Sequence, residues 1–276
     1  MVSVTKEQGA EFWNRNPCGG SWKNYQEFMD YIQRTEPYFF RVLDRYTWQG
    51  KRVLEVGCGQ GSTLNYLPKL GAFVHGIDMS EASLAQARIG ASELGHLDRV
   101  KLSVGDAETL SFPDGSFDAV ICGGVLQHTE DTGGGFREIY RVLKPGGVAI
   151  VMLYRSGNPK WWATRFLRGL SSVIDRISGT KFFIADKLRS RKKEGSIQGT
   201  ALLELFGVPI LKAFSNEDCR RMFANFNSVI ITNHKPGFER NCDIFRPLKP
   251  FRNLFHRIDA AMQDRWGFYQ VIEARK

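Results

Sequence analysis

Four carboxylates and one histidine stand where side chains could do chemistry: Glu55, Asp78, Asp106, Glu108 and His128. Glu55 lies inside an apolar run, Asp78 ends the next one, Asp106 and Glu108 follow a third, and His128 follows a fourth. Carboxylates at neighbouring strand ends can accept hydrogen bonds from ribose hydroxyls or an exocyclic amino group. Their summed charge favours a cationic ligand and repels a pyrophosphate. The turn after Glu55 carries Gly57, Gly59 and Gly61 at alternate positions, which permits a tight bend and close approach of backbone to a ligand. A histidine beside such a ligand titrates near neutrality and suits proton removal.

The elements that must hold these residues follow from the pattern. VLEVGCGQG at 53–61 is a strand leading through the glycine turn into a helix N-terminus. Ala72 to Asp78 is a second strand, with Asp78 17 residues after Gly61, and an alanine-rich helix spans Ser80 to Leu94. Val100 to Val104 is a short strand running into Gly105, Asp106, Ala107 and Glu108. Phe117 to His128 is a buried strand with a polar turn, and RVLKPGG at 141–147 precedes the apolar strand Val148 to Tyr154. The glycine turn and Asp78 would also serve a nicotinamide dehydrogenase, so alone they imply only an adenosine-containing ligand. The second acidic cluster reads adenine, and its sign favours a sulfonium.

Taken together, residues of about 50–156 resemble the class I S-adenosylmethionine-dependent methyltransferases, in the small-molecule branch that includes ubiquinone and menaquinone biosynthesis enzymes and phosphoethanolamine methyltransferases. The resemblance implies an α/β fold: a Rossmann-like, doubly wound, seven-stranded sheet with an N-terminal helical lid and C-terminal cap insertions. It implies S-adenosyl-L-methionine as cofactor. Gly57, Cys58 and Gly59 would pass beneath its methionine part, Gly61 completing the turn and Glu55 tethering the loop. Asp78 would hold the ribose, Met79 would pack on adenine, and Asp106, Ala107 and Glu108 would frame the adenine edge. The backbone near Cys122 and Gly123 would lie along the methionine chain, with Gln127 and His128 facing the reacting methyl group. His128 would act as base with an N-terminal tyrosine, Tyr25 or Tyr31; a hydrogen-bonded structural histidine is the other reading.

Four segments are expected: a helical lid at 1–49, the cofactor-binding core at 50–156, a cap insertion at 157–213, and a terminal helix and edge hairpin at 214–276 interrupted by a second insertion at about 234–266. In the lid, one helix starts at Asn24, and Thr35 is read as the N-cap of a second that has Pro37 just inside. Trp13, Trp22 and Tyr25 are the aromatics expected near the cofactor mouth. Ser215 opens an acidic capping box for a helix reaching Phe226, with strands at Ser228 to Thr232 and Gly267 to Ala274. The first insertion carries an apolar stripe from Trp161 to Ile177 with Arg165, Arg168 and Arg176 on other faces; packing within the cap is the favoured role, and covering an apolar acceptor or lying on a membrane surface are the others. The basic run KLRSRKKEG at 187–195 and the mixture of Phe238, Arg240, Phe245, Arg246, Phe251, Arg252 and Phe255 complete the two inserts.

A chain of 276 residues, 42% hydrophobic, can bury a full core. No apolar run reaches the ~20 residues of a membrane span, and the N-terminus lacks a signal-peptide layout, so a cytoplasmic protein is expected. Cysteines 18, 58, 122, 219 and 242 form neither a CxxC pair nor a metal set and read as reduced thiols, with no metal implied. Charge is uneven. Residues 1–154 carry 15 basic against 18 acidic side chains and residues 155–276 carry 23 against 11, for a net +9. The basic half suits an anionic partner: an acidic group on the acceptor, a membrane surface or nucleic acid, the last disfavoured because no RNA-binding signature is present. The favoured acceptor is a small or medium, partly apolar molecule, methylated on oxygen before carbon or nitrogen. An RNA-modifying enzyme and a cofactor-binding protein without catalysis are the alternatives.

Overall fold

Alternation along the first strand sets the two faces of the sheet. Leu54 and Val56 join the core on one side, while Val53 and Glu55 turn to the other, and all four are buried, as a central parallel strand requires. The structure, a computed structural model, describes residues 6–17, 22–179, 208–235 and 250–276. Its seven strands are β1 (Arg52–Val56), β2 (Phe73–Asp78), β3 (Val100–Val104), β4 (Phe117–Gly123), β5 (Leu143–Tyr154), β6 (Ser228–His234) and β7 (Tyr269–Arg275). They lie in the order β3-β2-β1-β4-β5-β7-β6. The first five are parallel in register, and β7 runs antiparallel to both β5 and β6. Strand order reverses between β1 and β4, which opens a crevice at their carboxyl ends.

Eight helices stand among the described residues: α1 (Lys6–Arg15), α2 (Tyr25–Thr35), α3 (Pro37–Leu43), α4 (Glu81–Glu93), α5 (Thr132–Val142), α6 (Pro159–Ser178), α7 (Asn216–Met222) and α8 (Arg252–Trp266). One core face packs Phe136, Ile139 and Val142 of α5 and Cys219 of α7 against Leu54, Val120 and Val151. The opposite face packs Phe39, Val42 and Leu43 of α3 and Leu84 and Ala87 of α4 against Val53, Ile121 and Ile150. Ser80 caps α4 by accepting from Ser83 N–H, and Ser215 and Asp218 form the expected capping box of α7.

Several boundaries differ from those the sequence suggests. The glycine turn does not open into a regular helix. Asn65 N–H reaches the Gly61 carbonyl and Leu67 N–H the Thr63 carbonyl, but Pro68 has no N–H to continue the ladder, and only a 3₁₀ turn at Leu67–Leu70 follows. The N-cap position before Pro37 is Glu36, which makes no side-chain cap; Thr35 belongs to α2, its hydroxyl donating back to the Tyr31 and Ile32 carbonyls. A third lid helix, α1, precedes the two expected. The helix at Ser215 stops at Met222, and α8 occupies part of the second insertion. Cys18, Cys242, the 187–195 basic run and Phe238, Arg240, Phe245 and Arg246 lie outside the described residues.

Candidate active site

A cavity of about 260 Å³ occupies the crevice at the β1/β4 switch point. Its floor is the turn after β1. Gly57 has φ +67°, and a Cβ there would come within 2.3 Å of Val125 Cγ2, so both conformation and space demand glycine. At Gly59, φ is +53° and a Cβ would meet nothing within 4 Å. The backbone there presents itself to open space. Cys58 N–H donates to the Ile77 carbonyl at 2.9 Å and Gly59 N–H to Asp78 Oδ2 at 2.8 Å, so the loop is tied to the tip of β2.

The tether differs from the one expected. Asp78, not Glu55, tethers the loop, and its Oδ1 also accepts from Ser80 N–H at 2.9 Å. Glu55 is buried with Oε2 lacking a hydrogen-bond partner, while Thr63 supports its carboxylate. Burial, and then the charge of Asp78, push the Glu55 carboxyl well above the usual carboxylate range. Burial also raises Asp78, opposed by its backbone donors. An unpaired buried carboxylate oxygen is costly unless a cation or donor meets it.

At the tip of β3, Asp106 and Glu108 both ion-pair with Lys6 of α1, the latter at 3.0 Å. Asp106 Oδ1 accepts from Glu108 N–H at 2.8 Å, and Glu108 Oε1 accepts from Glu130 and Asp131 N–H, binding this tip to the turn before α5. The hydrogen bonds that the Lys6 ammonium donates to Asp106 and Glu108 raise its pKa and hold it charged. Helix α1 lies over the mouth: Lys6, Gly9 and Trp13 line it, and Asn14 Oδ1 accepts from Ala82 N–H at the start of α4.

The other end of the cavity is apolar and aromatic, lined by Phe28, Ile32, Phe39, Phe40, Met152, Tyr154, Tyr269, Val208 and Ile210, with His128 among them. The 3₁₀ turn Leu126–His128 follows β4 and aims the imidazole inward. Its Nδ1 lies 2.9 Å from the Ile210 carbonyl. A carbonyl can only accept, so Nδ1 carries the proton and Nε2 the lone pair. The ring meets Trp13 edge-on at 5.4 Å and Tyr154 at 5.8 Å. Burial, aided by the charge of Arg168, lowers the His128 pKa to about 4 against the Ile210 hydrogen bond, so the ring is neutral at physiological pH. Arg168 itself donates from Nη2 to the Val208 carbonyl at 2.9 Å.

Eleven of the fourteen residues expected from sequence line this cavity: Glu55, Gly57, Cys58, Gly59, Asp78, Met79, Asp106, Ala107, Glu108, Gly123 and His128. Three do not. Gly61 packs behind the loop against Ala87 and Asn65. Gln127 is fully buried with neither amide atom paired. The Tyr25 hydroxyl donates toward the Gln60 and Gly61 carbonyls, at 2.8 and 2.6 Å, and accepts from Asn65 Nδ2, so it braces the glycine turn from behind, and burial raises its pKa. Tyr31 packs against Trp22 at 5.0 Å, and only Trp13 of the three expected lid aromatics reaches the cavity. Lys6 and the Ile210 carbonyl escaped the sequence reading, and Arg168 was read only as a face of the 161–177 helix, because each lies far in sequence from the strand tips with no motif around it. Among the described residues, no three His, Cys, Asp or Glu side chains converge on a metal position.

Comparison with known proteins agrees with the geometry. Residues 54–151 match the family described as methyltransferase domain. A ubiquinone biosynthesis O-methyltransferase of Pseudomonas putida is 38% identical over 199 residues, 70% of this chain and 84% of that one. The chain belongs to the class I S-adenosylmethionine-dependent methyltransferases. A sterol 24-C-methyltransferase of Gibberella zeae is 41% identical over 100 residues, 36% of this chain, but the match spans only 26% of that enzyme. The fold is shared with phosphoethanolamine N-methyltransferase 2 of Haemonchus contortus, solved with phosphomonomethylethanolamine and S-adenosylhomocysteine: TM-score 0.59 and 18% identity over 99% of this chain and 60% of that one. The family's cofactor is S-adenosylmethionine, and the residues present fit it. A cationic sulfonium and ammonium suit the orphaned Glu55 oxygen, and the open space at Gly59 leaves room for a chain lying on the loop.

Proposed function

We propose that this methyltransferase alkylates a hydroxyl of a small, largely apolar and aromatic-compatible molecule, with His128 as base. The observation that carries the proposal is the continuity of one cavity. An acidic end formed by Glu55, Asp78, Asp106 and Glu108 runs into an aromatic end holding the His128 ring. Bound at the acidic end, S-adenosylmethionine supplies an electrophilic methyl group on a cationic sulfur. Glu55 would meet the cofactor's positive charge, Gly57 and Gly59 would underlie its amino-acid part, and Asp78 and Met79 would hold its ribose and adenine. Phe28, Phe39, Met152 and Tyr154 exclude water from the acceptor and orient it for in-line attack, the main protein contribution in such a transfer.

His128 would take the acceptor's hydroxyl proton at Nε2 as the oxygen–carbon bond forms and the methyl–sulfur bond breaks, the electron pair leaving with the neutral thioether, while Nδ1–H stays on the Ile210 carbonyl. Oxygen is favoured because a neutral imidazole with a fixed tautomer serves an acceptor that arrives protonated. An acidic acceptor gains little support. With His128 neutral, the only cationic side chain among the described lining residues is Lys6, already paired at the other end, whereas Glu36 and Glu130 add to the negative wall. The same wall weighs against nucleic acid. Transfer of labelled methyl from S-adenosylmethionine to a panel of phenols, catechols, amines and RNA tests the proposal. Phenolic product that disappears in His128→Ala is expected; transfer to amines or RNA alone contradicts it.

A further inference from the structure

We propose that the outer face of α6 docks on the surface of an anionic lipid bilayer. This helix of 20 residues is capped by Asn158, which accepts from Lys160 N–H, and closed by Gly179 at φ +68°. At 1.5 Å per residue it is about 30 Å long. One side is held by the protein: Trp161, Thr164 and Ser171 are buried, and Arg168 donates to the Val208 carbonyl. The other side is a row of Trp162, Phe166, Leu170, Val173 and Ile177 in steps of three or four residues, exposed by 60, 74, 50, 49 and 83%. Single exposed apolar side chains are ordinary, but five in one unbroken helical row form a contact surface.

Charge selects the occupant. Helical geometry puts Arg165 and Arg176 along one edge of the row, and the segment from 155 onward holds the whole of the chain's basic excess, the rest being net acidic. A second copy of a chain with net charge +9 would bring the same arginines against these and repel. Anionic headgroups instead match guanidinium groups at the edge while the apolar row enters the acyl boundary. No helix among the described residues is long and apolar enough to cross a membrane, so contact of this helix would be at the surface. Because Val208 both receives Arg168 and lines the cavity, docking sets the acceptor end beside the bilayer. The inference goes beyond methyl transfer and stands apart from the identity of the acceptor.

Flotation of the full chain with vesicles tests it. Vesicles of phosphatidylcholine with about 30% phosphatidylglycerol should bind at least about tenfold more tightly than phosphatidylcholine alone, with the preference lost at high salt. Phe166→Glu with Ile177→Glu should lower vesicle binding by about tenfold or more, with melting temperature and S-adenosylhomocysteine affinity unchanged. Arg165→Gln with Arg176→Gln should abolish the preference for anionic lipid without touching the apolar row. The inference is overturned by failure to float with either vesicle, by binding that both double variants leave intact, or by a self-associating chain whose dimer, not lipid binding, responds to the glutamates.

Discussion

The two ends of the cavity are built differently. The acidic end comes from consecutive strand tips of β1, β2 and β3, where a short motif carries both the backbone shape and the charge. The aromatic end draws on α2, α3, the turn after β4, strands β5 and β7, and residues 208–210, which meet only through the fold. Local chemistry therefore defines the donor end, and long-range packing defines the acceptor end. Substitutions should separate the two.

The largest expected effect is at the aromatic end. His128→Ala should lower kcat by about 10²–10⁴ while leaving S-adenosylhomocysteine affinity within a few-fold, measured by steady-state kinetics and calorimetry. Equal losses of turnover and donor binding would mean that the ring has only a structural role. At the acidic end, Gly57→Ala drives a Cβ into Val125 at a positive φ, and should weaken donor binding at least about tenfold and cost about 1–3 kcal/mol in a urea melt. That variant should lose KM for the donor first, the mirror image of His128→Ala.

Stability against pH sharpens the same contrast. The folded His128 has its pKa lowered to about 4 by burial, against about 6.5 unfolded, so the unfolded state binds the extra proton between those values. Its contribution is full above pH ~6.5 and is lost as pH falls toward about 4, by up to about 3 kcal/mol. Glu55, with its carboxyl raised, runs the opposite way: it favours the fold in acid and loses that contribution as pH rises past its unfolded pKa. His128→Gln should flatten the fall in melting temperature between pH 7 and 5, and Glu55→Gln should not.

How far the sequence reached follows the same division. The glycine turn, Asp78, the acidic pair at β3 and the positions of the first five strands along the chain were legible because strand tips and tight turns leave local signatures. Even there, the loop tether fell to Asp78 and not to Glu55, because spacing along the chain does not fix which carboxylate reaches Gly59 N–H. Tyr25 lies on the predicted helix, but Gly90 lets α4 approach so closely that the phenol points behind the loop. The partners of His128 were not legible: the Ile210 carbonyl lies 82 residues away, beyond an insertion whose return path no motif records. Helices α1 and α8 were missed because neither carries a strong apolar face.

The smallest expected effect is at the lid. Lys6 is about half exposed, so its ion pairs are screened, and Lys6→Ala should raise the donor dissociation rate only about two- to threefold, an effect that shrinks in high salt.

The central claim is that carboxylates at the strand tips, buried Glu55 foremost, hold a cationic adenosyl donor. Calorimetric titration of the protein and of Glu55→Gln with S-adenosylmethionine, S-adenosylhomocysteine and NAD tests it most directly. The account predicts that both adenosyl ligands bind the native protein and NAD does not, and that Glu55→Gln loses about tenfold, or about 1.4 kcal/mol, for the sulfonium while affinity for the neutral thioether changes much less. Binding of NAD at comparable strength, or no measurable affinity for S-adenosylmethionine, would contradict it.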